Sequence, residues 1–192
     1  LAPAADGGCA RYFASLDREL LVERLPDGSV QVPCLKAFGQ LGLPSRAKHY
    51  LGQSRRHGHC FAIELEPGAA LPAGTELVGL RQLFGLLDDE LAAVACRGVQ
   101  IVDWWRDHQF CGRCGGPTEA QAGERARACP RCRLSCFPRL SPAVIVLIHR
   151  GDQFLLARNH RFPAGRYSVV AGFVDPGESL EDAVHREVRE EV

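Results

Sequence analysis

The segment AGFVDPGESLEDAVHREVREEV carries three glutamates, Glu187, Glu190 and Glu191, close enough in sequence to act on one centre. Ser179 is followed three residues later by Asp182 and preceded by the turn Asp175-Pro176-Gly177, so it reads as an N-cap and a helix is expected from Leu180. At about 100° per residue, Leu180, Ala183, Val184 and Val188 share one helical face, with Glu187 and Glu191 inside the same arc and Glu190 at its edge. Carboxylates this close repel one another, and desolvating them is costly unless something compensates. A divalent cation is one compensator. Hard oxygen ligands in this arrangement suit Mg2+ or Mn2+, which keep waters that substrate phosphates can displace. The competing reading is a solvated acidic face paired with Arg186 and Arg189, and periodicity alone leaves both open.

A second constellation is sulfur. Cys111 and Cys114 form one CxxC pair, and Cys129 and Cys132 form another. Each CxxC turn brings two thiolates to one side of a knuckle, and two knuckles complete a tetrahedral S4 site of the kind that holds structural Zn2+. Gly112, Gly115 and Gly116 permit the turns, and Pro130 stiffens the second knuckle. A redox dithiol needs only one such pair, so zinc is the expected occupant. Cys9, Cys34, Cys60, Cys96 and Cys136 show no comparable pattern and are expected as small buried hydrophobes. Their odd number argues for a reducing compartment.

Composition narrows the class. Of 192 residues, 46% are hydrophobic, enough for real cores and against a disordered chain. The 23 basic and 23 acidic side chains cancel, so no polyanion or membrane surface is advertised globally. No apolar run is long enough for a membrane span and no leader is visible, which makes the cytoplasm the expected location. The chain starts at Leu1, contains no Met and shows no stop signal after its last helix, features that read as a fragment open at both ends.

The elements that position these groups follow from local pattern. Leu20 to Val32 reads as a hairpin about Pro26-Asp27-Gly28, and Cys60 to Leu65 as a further strand. Helices are expected over Glu76 to Leu87 and Asp88 to Phe110, with Trp104 and Trp105 as packing residues. His57 and His59 fall in a polar stretch expected to be a loop, where they are metal ligands or, more commonly, solvated. Ala143 to Arg150 and Gln153 to Arg158 read as a hairpin across Gly151-Asp152, and Tyr167 to Val174 as a third strand feeding the terminal helix.

The stretch GFVDPGESLEDAVHREVREE resembles the signature of the Nudix hydrolases, with Gly172, Glu178, Arg186, Glu187, Val188, Glu190 and Glu191 at the defining positions. The resemblance implies hydrolysis of a nucleoside diphosphate linked to another group. It implies metal ligation by Glu187, Glu190 and Glu191 with the Ala171 carbonyl, and an ion pair between Glu178 and Arg186. From about Leu80 onward, a four-cysteine ribbon entered through RGVQIVDWWRDHQFCGRCG and left through CFPRLSPAVIV is similar to the bacterial NADH pyrophosphatases. That similarity implies an α+β protein: an N-terminal α/β domain over residues 1–106, a zinc ribbon over 107–140, and the first part of a Nudix α/β/α fold over 141–192. Phe137 and Ile145 occupy positions that help line the family's nucleotide site, and Phe173 that of its base-stacking aromatic. Each of the three also suits a plain core position.

The implied reaction is attack of water on one phosphorus of NADH or NAD+, giving nicotinamide mononucleotide and AMP. Mg2+ or Mn2+ neutralises charge and Glu191 is a candidate for a shared metal and base role. The family also removes NAD caps from RNA, and residues 106–139 hold seven Arg against three acids, a local excess suited to a phosphate backbone or simply to solvated knuckles. A homodimer is implied by the same resemblance. The family's substrate-marking segment, Ser-Gln-Pro-Trp-Pro-Phe-Pro, lies past the point where this sequence stops, so little turnover is expected of the 192-residue polypeptide itself. Two alternatives remain open: a Nudix hydrolase of ADP-ribose or a sugar nucleotide, and a zinc-ribbon nucleic-acid-binding protein with an inactive Nudix fold.

Overall fold

Alternating and doubly buried apolar residues make residues 10–79 mostly β. The computed structural model describes residues 8–192 and divides the chain into two units, one ending at Pro138 and the other spanning Arg139–Val192. In the first unit a mixed sheet takes the order β3-β2-β1-β6-β5, where β1 is Ala10–Leu16, β2 Glu19–Arg24, β3 Val30–Gln31, β5 Ser45–Ser54 and β6 Gly58–Leu65. Two further strands, β4 (Cys34–Leu35) and β7 (Thr75–Gly79), pair with β1 and β2. β1 runs parallel to β6 and antiparallel to β2.

Both faces of this sheet are packed. One face sets Phe13, Leu20, Val22, Leu51 and Ala62 against α1 (Asp89–Asp107), which contributes Leu91, Val94, Ala95, Ile101 and Val102. Burial of each large side chain stabilises by roughly 1.5–3 kcal/mol. Gly98 lets the helix approach, since a Cβ there would meet Leu51 Cδ1 at 3.3 Å and Ala62 Cβ at 3.5 Å. The other face buries Tyr12, Phe38, Phe61, Ile63 and Leu65. Asp88 caps α1 by accepting from the amides of Glu90 and Leu91, as its acidic start leads one to expect.

Three expectations are corrected by these contacts. Residues 76–87 are not a helix: Glu76 to Gly79 complete β7, in register with β2 from Glu19↔Gly79 to Glu23↔Thr75, and only Leu80–Gln82 makes a single 3-10 turn. The pairing partner Leu21 and its neighbours override the helical spacing of the apolar residues. His57 and His59 do not share a solvated loop. The chain turns tightly between β5 and β6, so that His59 lies in β6 within 2.8 Å of the Tyr50 hydroxyl, while His57 Nε2 is 3.1 Å from Asp88. Among the leftover cysteines only Cys60 is buried, and Cys9 and Cys34 form a disulfide with Cα atoms 5.6 Å apart, a separation suited to the bond. The pairing of β4 with the start of β1 brings the two thiols together.

The ribbon completes the first unit through β8 (Glu119–Ala120), β9 (Arg127–Ala128) and β10 (Ser135–Cys136), an antiparallel sheet of order β10-β9-β8. Buried Arg127 ties it to α1. Its guanidinium donates to the His108 carbonyl at 3.0 Å and to Thr118, and its Cζ sits 4.1 Å from the Trp105 ring centroid. Arg125 donates to the Tyr50 carbonyl on β5. Trp104 is buried and Trp105 is held between Arg127 and His49, so both are packing residues.

In the second unit, β11 (Ala143–Val146) pairs antiparallel with β14 (Val170–Phe173), and β12 (His149–Arg150) forms a hairpin with β13 (Gln153–Phe154) across Gly151-Asp152. The chain leaves β14 through the Asp175-Pro176-Gly177 turn into α2 (Leu180–Glu191), which packs on β11 and β14. Ser179 accepts from the Asp182 amide and Asp182 accepts from the Ser179 amide, the reciprocal cap read from the sequence. No helix among the described residues is long and apolar enough to cross a membrane.

Candidate active site and metal centre

The four ribbon cysteines converge. Cys111 Sγ lies 3.5 Å from Cys132 Sγ, Cys114 Sγ lies 3.5 Å from Cys129 Sγ, and all four sulfurs fall within 4.8 Å of one another. Zinc–sulfur bonds of about 2.3 Å place the sulfurs of a tetrahedral site roughly 3.8 Å apart, so the donor set and its size fit Zn2+. Knuckle amides face the sulfurs, Arg113 N–H toward Cys111 at 3.4 Å and Cys132 N–H toward Cys129 at 3.5 Å. These donors pull the Cys111 thiol down to about 6 and lower that of Cys129, while, against a backbone hydrogen bond at Leu134, burial and the neighbouring sulfurs push Cys132 up to about 11, so the first two favour the thiolates that a metal needs. With every ligand supplied by protein, the centre is structural.

The glutamates of α2 are arranged differently. Glu187 is 8% exposed and its carboxylate lies against Gly172 of β14, in space that any Cβ at position 172 would occupy. The box glycine is therefore a seat for the carboxylate. Arg186 organises the rest. Its Nε donates to Glu178 Oε1 at 2.7 Å and its NH2 to Glu178 Oε2 at 2.9 Å, a bidentate pair that bridges the turn and the helix. The same NH2 reaches the Phe173 carbonyl at 2.9 Å, while NH1 donates to Glu187 at 2.8 Å and lies 3.4 Å from Glu190. Glu178 also accepts from the Asp175 amide at 3.0 Å, so the carboxylate fixes both sides of the turn. Hydrogen bonds from Arg186 hold the Glu178 carboxyl down at about 2.

The helical wheel is half right. Ala183 and Glu187 point inward, but Glu191 is exposed, Leu180 is open to solvent, and Val184 and Val188 are only half covered. The opposing surface is only as wide as the β11–β14 ladder, which covers the Ala183–Glu187 stripe and no more. Glu190 is exposed beside Arg186, and Glu187, Glu190 and Glu191 do not converge into a cluster like the cysteines. Arg189 makes no ion pair among the described residues, and Arg186 is the cation that pairs with Glu187 and Glu190. The exposed Ala171 lies on β14 opposite Ile145. Phe173 and Ile145 are 66% and 74% exposed on that ladder, and Phe137, in the first unit, is 54% exposed, so none of the three is core. Sequence reasoning missed the packing of Glu187 on Gly172. Its signal is a glycine that no turn or positive φ requires, fifteen residues ahead of an acid on the buried face.

Three family comparisons meet on this architecture. Residues 9–104 match the NADH pyrophosphatase-like rudimentary NUDIX domain, residues 106–137 the NADH pyrophosphatase zinc ribbon domain, and residues 139–192 the NUDIX domain. A Stutzerimonas stutzeri protein named NAD-capped RNA hydrolase NudC is 51% identical across 100% of this chain and 67% of its own length. Proteins of the same name from Deinococcus radiodurans and Pseudomonas syringae pv. tomato are 53% and 44% identical, over 69% and 79% of this chain. The chain spans 48% and 54% of the length of those two relatives. On the three matched domains, the four-sulfur centre and the whole-chain similarity, this chain belongs to the NADH pyrophosphatase branch of the Nudix family.

Proposed function

We propose that the protein hydrolyses the diphosphate of NADH and NAD+ to nicotinamide mononucleotide and AMP, and makes the same cut at the NAD cap of RNA. The observation that carries this reading is the seating of Glu187 on Gly172, with Arg186 spanning Glu178, Glu187 and Glu190. The names of the relatives supply the substrate class.

In this reading Glu187, Glu190, Glu191 and the Ala171 carbonyl would hold Mg2+ or Mn2+, for which their hard oxygen donors are suited, the exposed Glu190 and Glu191 side chains turning to join Glu187. When bound, the ion polarises the diphosphate and lowers the pKa of water. Glu191, exposed on the last turn, accepts the proton as water adds to one phosphorus and the bridging P–O bond breaks, its electrons leaving with the second phosphate. Arg186 fixes the buried Glu187 carboxylate by a direct hydrogen bond, and Phe173 and Ile145 offer exposed apolar faces to a base. The same reading takes the protein as a homodimer of the cytoplasm, with equilibrium sedimentation as the check on its state.

The test is product analysis of the full-length protein with Mg2+ or Mn2+, comparing NADH with ADP-ribose and a sugar nucleotide. Equimolar AMP and reduced nicotinamide mononucleotide support the reading; cleavage of the other two substrates with NADH left intact overturns the substrate assignment. The 192-residue polypeptide itself is expected to turn over NADH poorly. Leu147, Phe154, Leu156 and Tyr167 are exposed in its second unit alongside Ile145 and Phe173, more apolar surface than a stable unit leaves open. Robust NADH cleavage by that polypeptide would refute this expectation.

A further inference from the structure

The six arginines between Arg106 and Arg133 divide into two groups by what they touch. Arg106 pairs with Asp103, Asp17 and Asp107, Arg125 holds the Tyr50 carbonyl, and Arg127 is buried against Trp105, Thr118 and the end of α1. Those three are spent on structure. Arg113, Arg131 and Arg133 are exposed, and their side chains make no ion pair or hydrogen bond among the described residues. Arg113 and Arg131 hold the same place in the two knuckles, the residue before the second cysteine, and Arg133 directly follows Cys132.

Their placement brings them onto one end of the ribbon. All three flank sulfurs that lie within 4.8 Å of one another, and the Arg131 side chain crosses to the first knuckle, its Cδ 3.8 Å from where a Cβ on Gly116 would stand. Next to Gly116, Pro117 bridges to Phe110, which is 70% exposed although it directly precedes Cys111. Of the ribbon's acids, Asp107 pairs with Arg106, while Glu119 and Glu124 pair with none of the three arginines. Unpaired guanidinium groups beside an exposed aromatic ring match a single-stranded nucleic acid, whose phosphates take the charge and whose bases stack on the ring.

We infer that the knuckle end of the ribbon, through Arg113, Arg131 and Arg133 with Phe110 as a stacking face, binds the phosphodiester backbone of single-stranded RNA. The inference rests on the capped-RNA part of the proposed function and gives that substrate its grip beyond the cap. A rival explanation is that the arginines merely offset the negative charge of four thiolates around zinc. Zinc content separates the two.

The experiment uses the full-length protein and the variant Arg113→Ala/Arg131→Ala/Arg133→Ala, with Arg→Lys at all three positions as a charge-keeping control. Binding of uncapped single-stranded RNA is measured across salt concentrations, then KM and kcat for NADH and for NAD-capped RNA, with bound zinc counted. Loss of three phosphate contacts lowers the log–log salt slope by about 2 and weakens RNA binding about tenfold or more near physiological salt. KM for capped RNA rises in step, NADH kinetics and zinc content stay unchanged, and the Lys variant recovers most of the binding. Unchanged RNA affinity and slope, equal losses on NADH and capped RNA, or loss of zinc from the Ala variant overturns the inference. The uncapped-RNA arm needs no turnover, so it decides the role of the arginines even if the hydrolase reading fails.

Discussion

Replacing Gly172 by Ala tests how tightly the box strand and the box helix are coupled. The backbone at 172 is not in the left-handed region, so the substitution carries no conformational penalty of its own. The new Cβ instead falls on the Glu187 carboxylate, the far end of a flexible side chain, which must leave its place. Overpacking of this kind costs about 1–3 kcal/mol, and the ability of Glu187 to swing away keeps the value near the lower end. Activity should suffer more. The displaced group is the inward carboxylate and the partner of Arg186, and a misplacement of about 1 Å at a reacting centre costs about a hundredfold in rate. The assay is urea unfolding and NADH turnover of the full-length protein for Gly172→Ala, Glu187→Ala and the double variant. The clash predicts that Gly172→Ala destabilises the wild type but costs almost nothing when Glu187 is already Ala. Equal cost in both backgrounds, or wild-type turnover by Gly172→Ala, would refute the reasoning.

Other consequences follow from the same contacts. Arg186→Lys keeps the charge but loses the bidentate grip on Glu178 and the bond to the Phe173 carbonyl, so kcat should fall while proton NMR of the purified protein shows a loosened Asp175–Glu178 turn; unchanged kcat contradicts this. His49, partly buried against Trp105 and facing Arg125 and Arg127, is pushed by burial and those charges down to about 4. The unfolded chain therefore takes up a proton between pH 6.5 and about 4 that the folded one refuses, so stability falls with acid across that window; His49→Gln should flatten this slope in thermal melts. The Glu178 carboxyl, held at about 2, keeps its Arg186 pair through the same range, and its contribution is lost only as pH falls from the ordinary carboxylate value toward 2. Cys129→Ser should reduce bound zinc below one per chain and expose the Arg127–Trp105 contact to solvent, seen as a shift in tryptophan fluorescence; full zinc retention contradicts the four-sulfur site.

Both α-helices among the described residues could be read from their caps, because Asp88 and Ser179 satisfy the same orphan amides in any fold that starts a helix there. The zinc ligands were legible for a similar reason: CxxC spacing fixes knuckle geometry locally. Strand β1 was not, since its hairpin to β2 turns through Asp17 and Arg18, both at positive φ, where the sequence offers no Asn-Gly or Gly-Gly signal. Its core partner β6 is parallel and some fifty residues away, beyond the reach of any local pattern. The segment 76–79 fits helical spacing and strand alternation equally well, and only the presence of β2 decides between them. On α2 the wheel placed Glu187 and Glu191 together, but the burial of a carboxylate depends on what faces it. Gly172 leaves room for Glu187, and nothing among the described residues covers Glu191.

The central claim is that the carboxylates of α2 carry a metal-dependent hydrolysis of the NAD(H) diphosphate. The most direct measurement is AMP release from NADH by the full-length protein as Mg2+ or Mn2+ is titrated, with Glu187→Gln and Glu190→Gln alongside. The account predicts AMP and reduced nicotinamide mononucleotide in equal amounts, dependence on the metal, and a loss of at least about a hundredfold in each variant with zinc content unchanged. Wild-type rates in both variants, or release of AMP without added divalent metal, would contradict it.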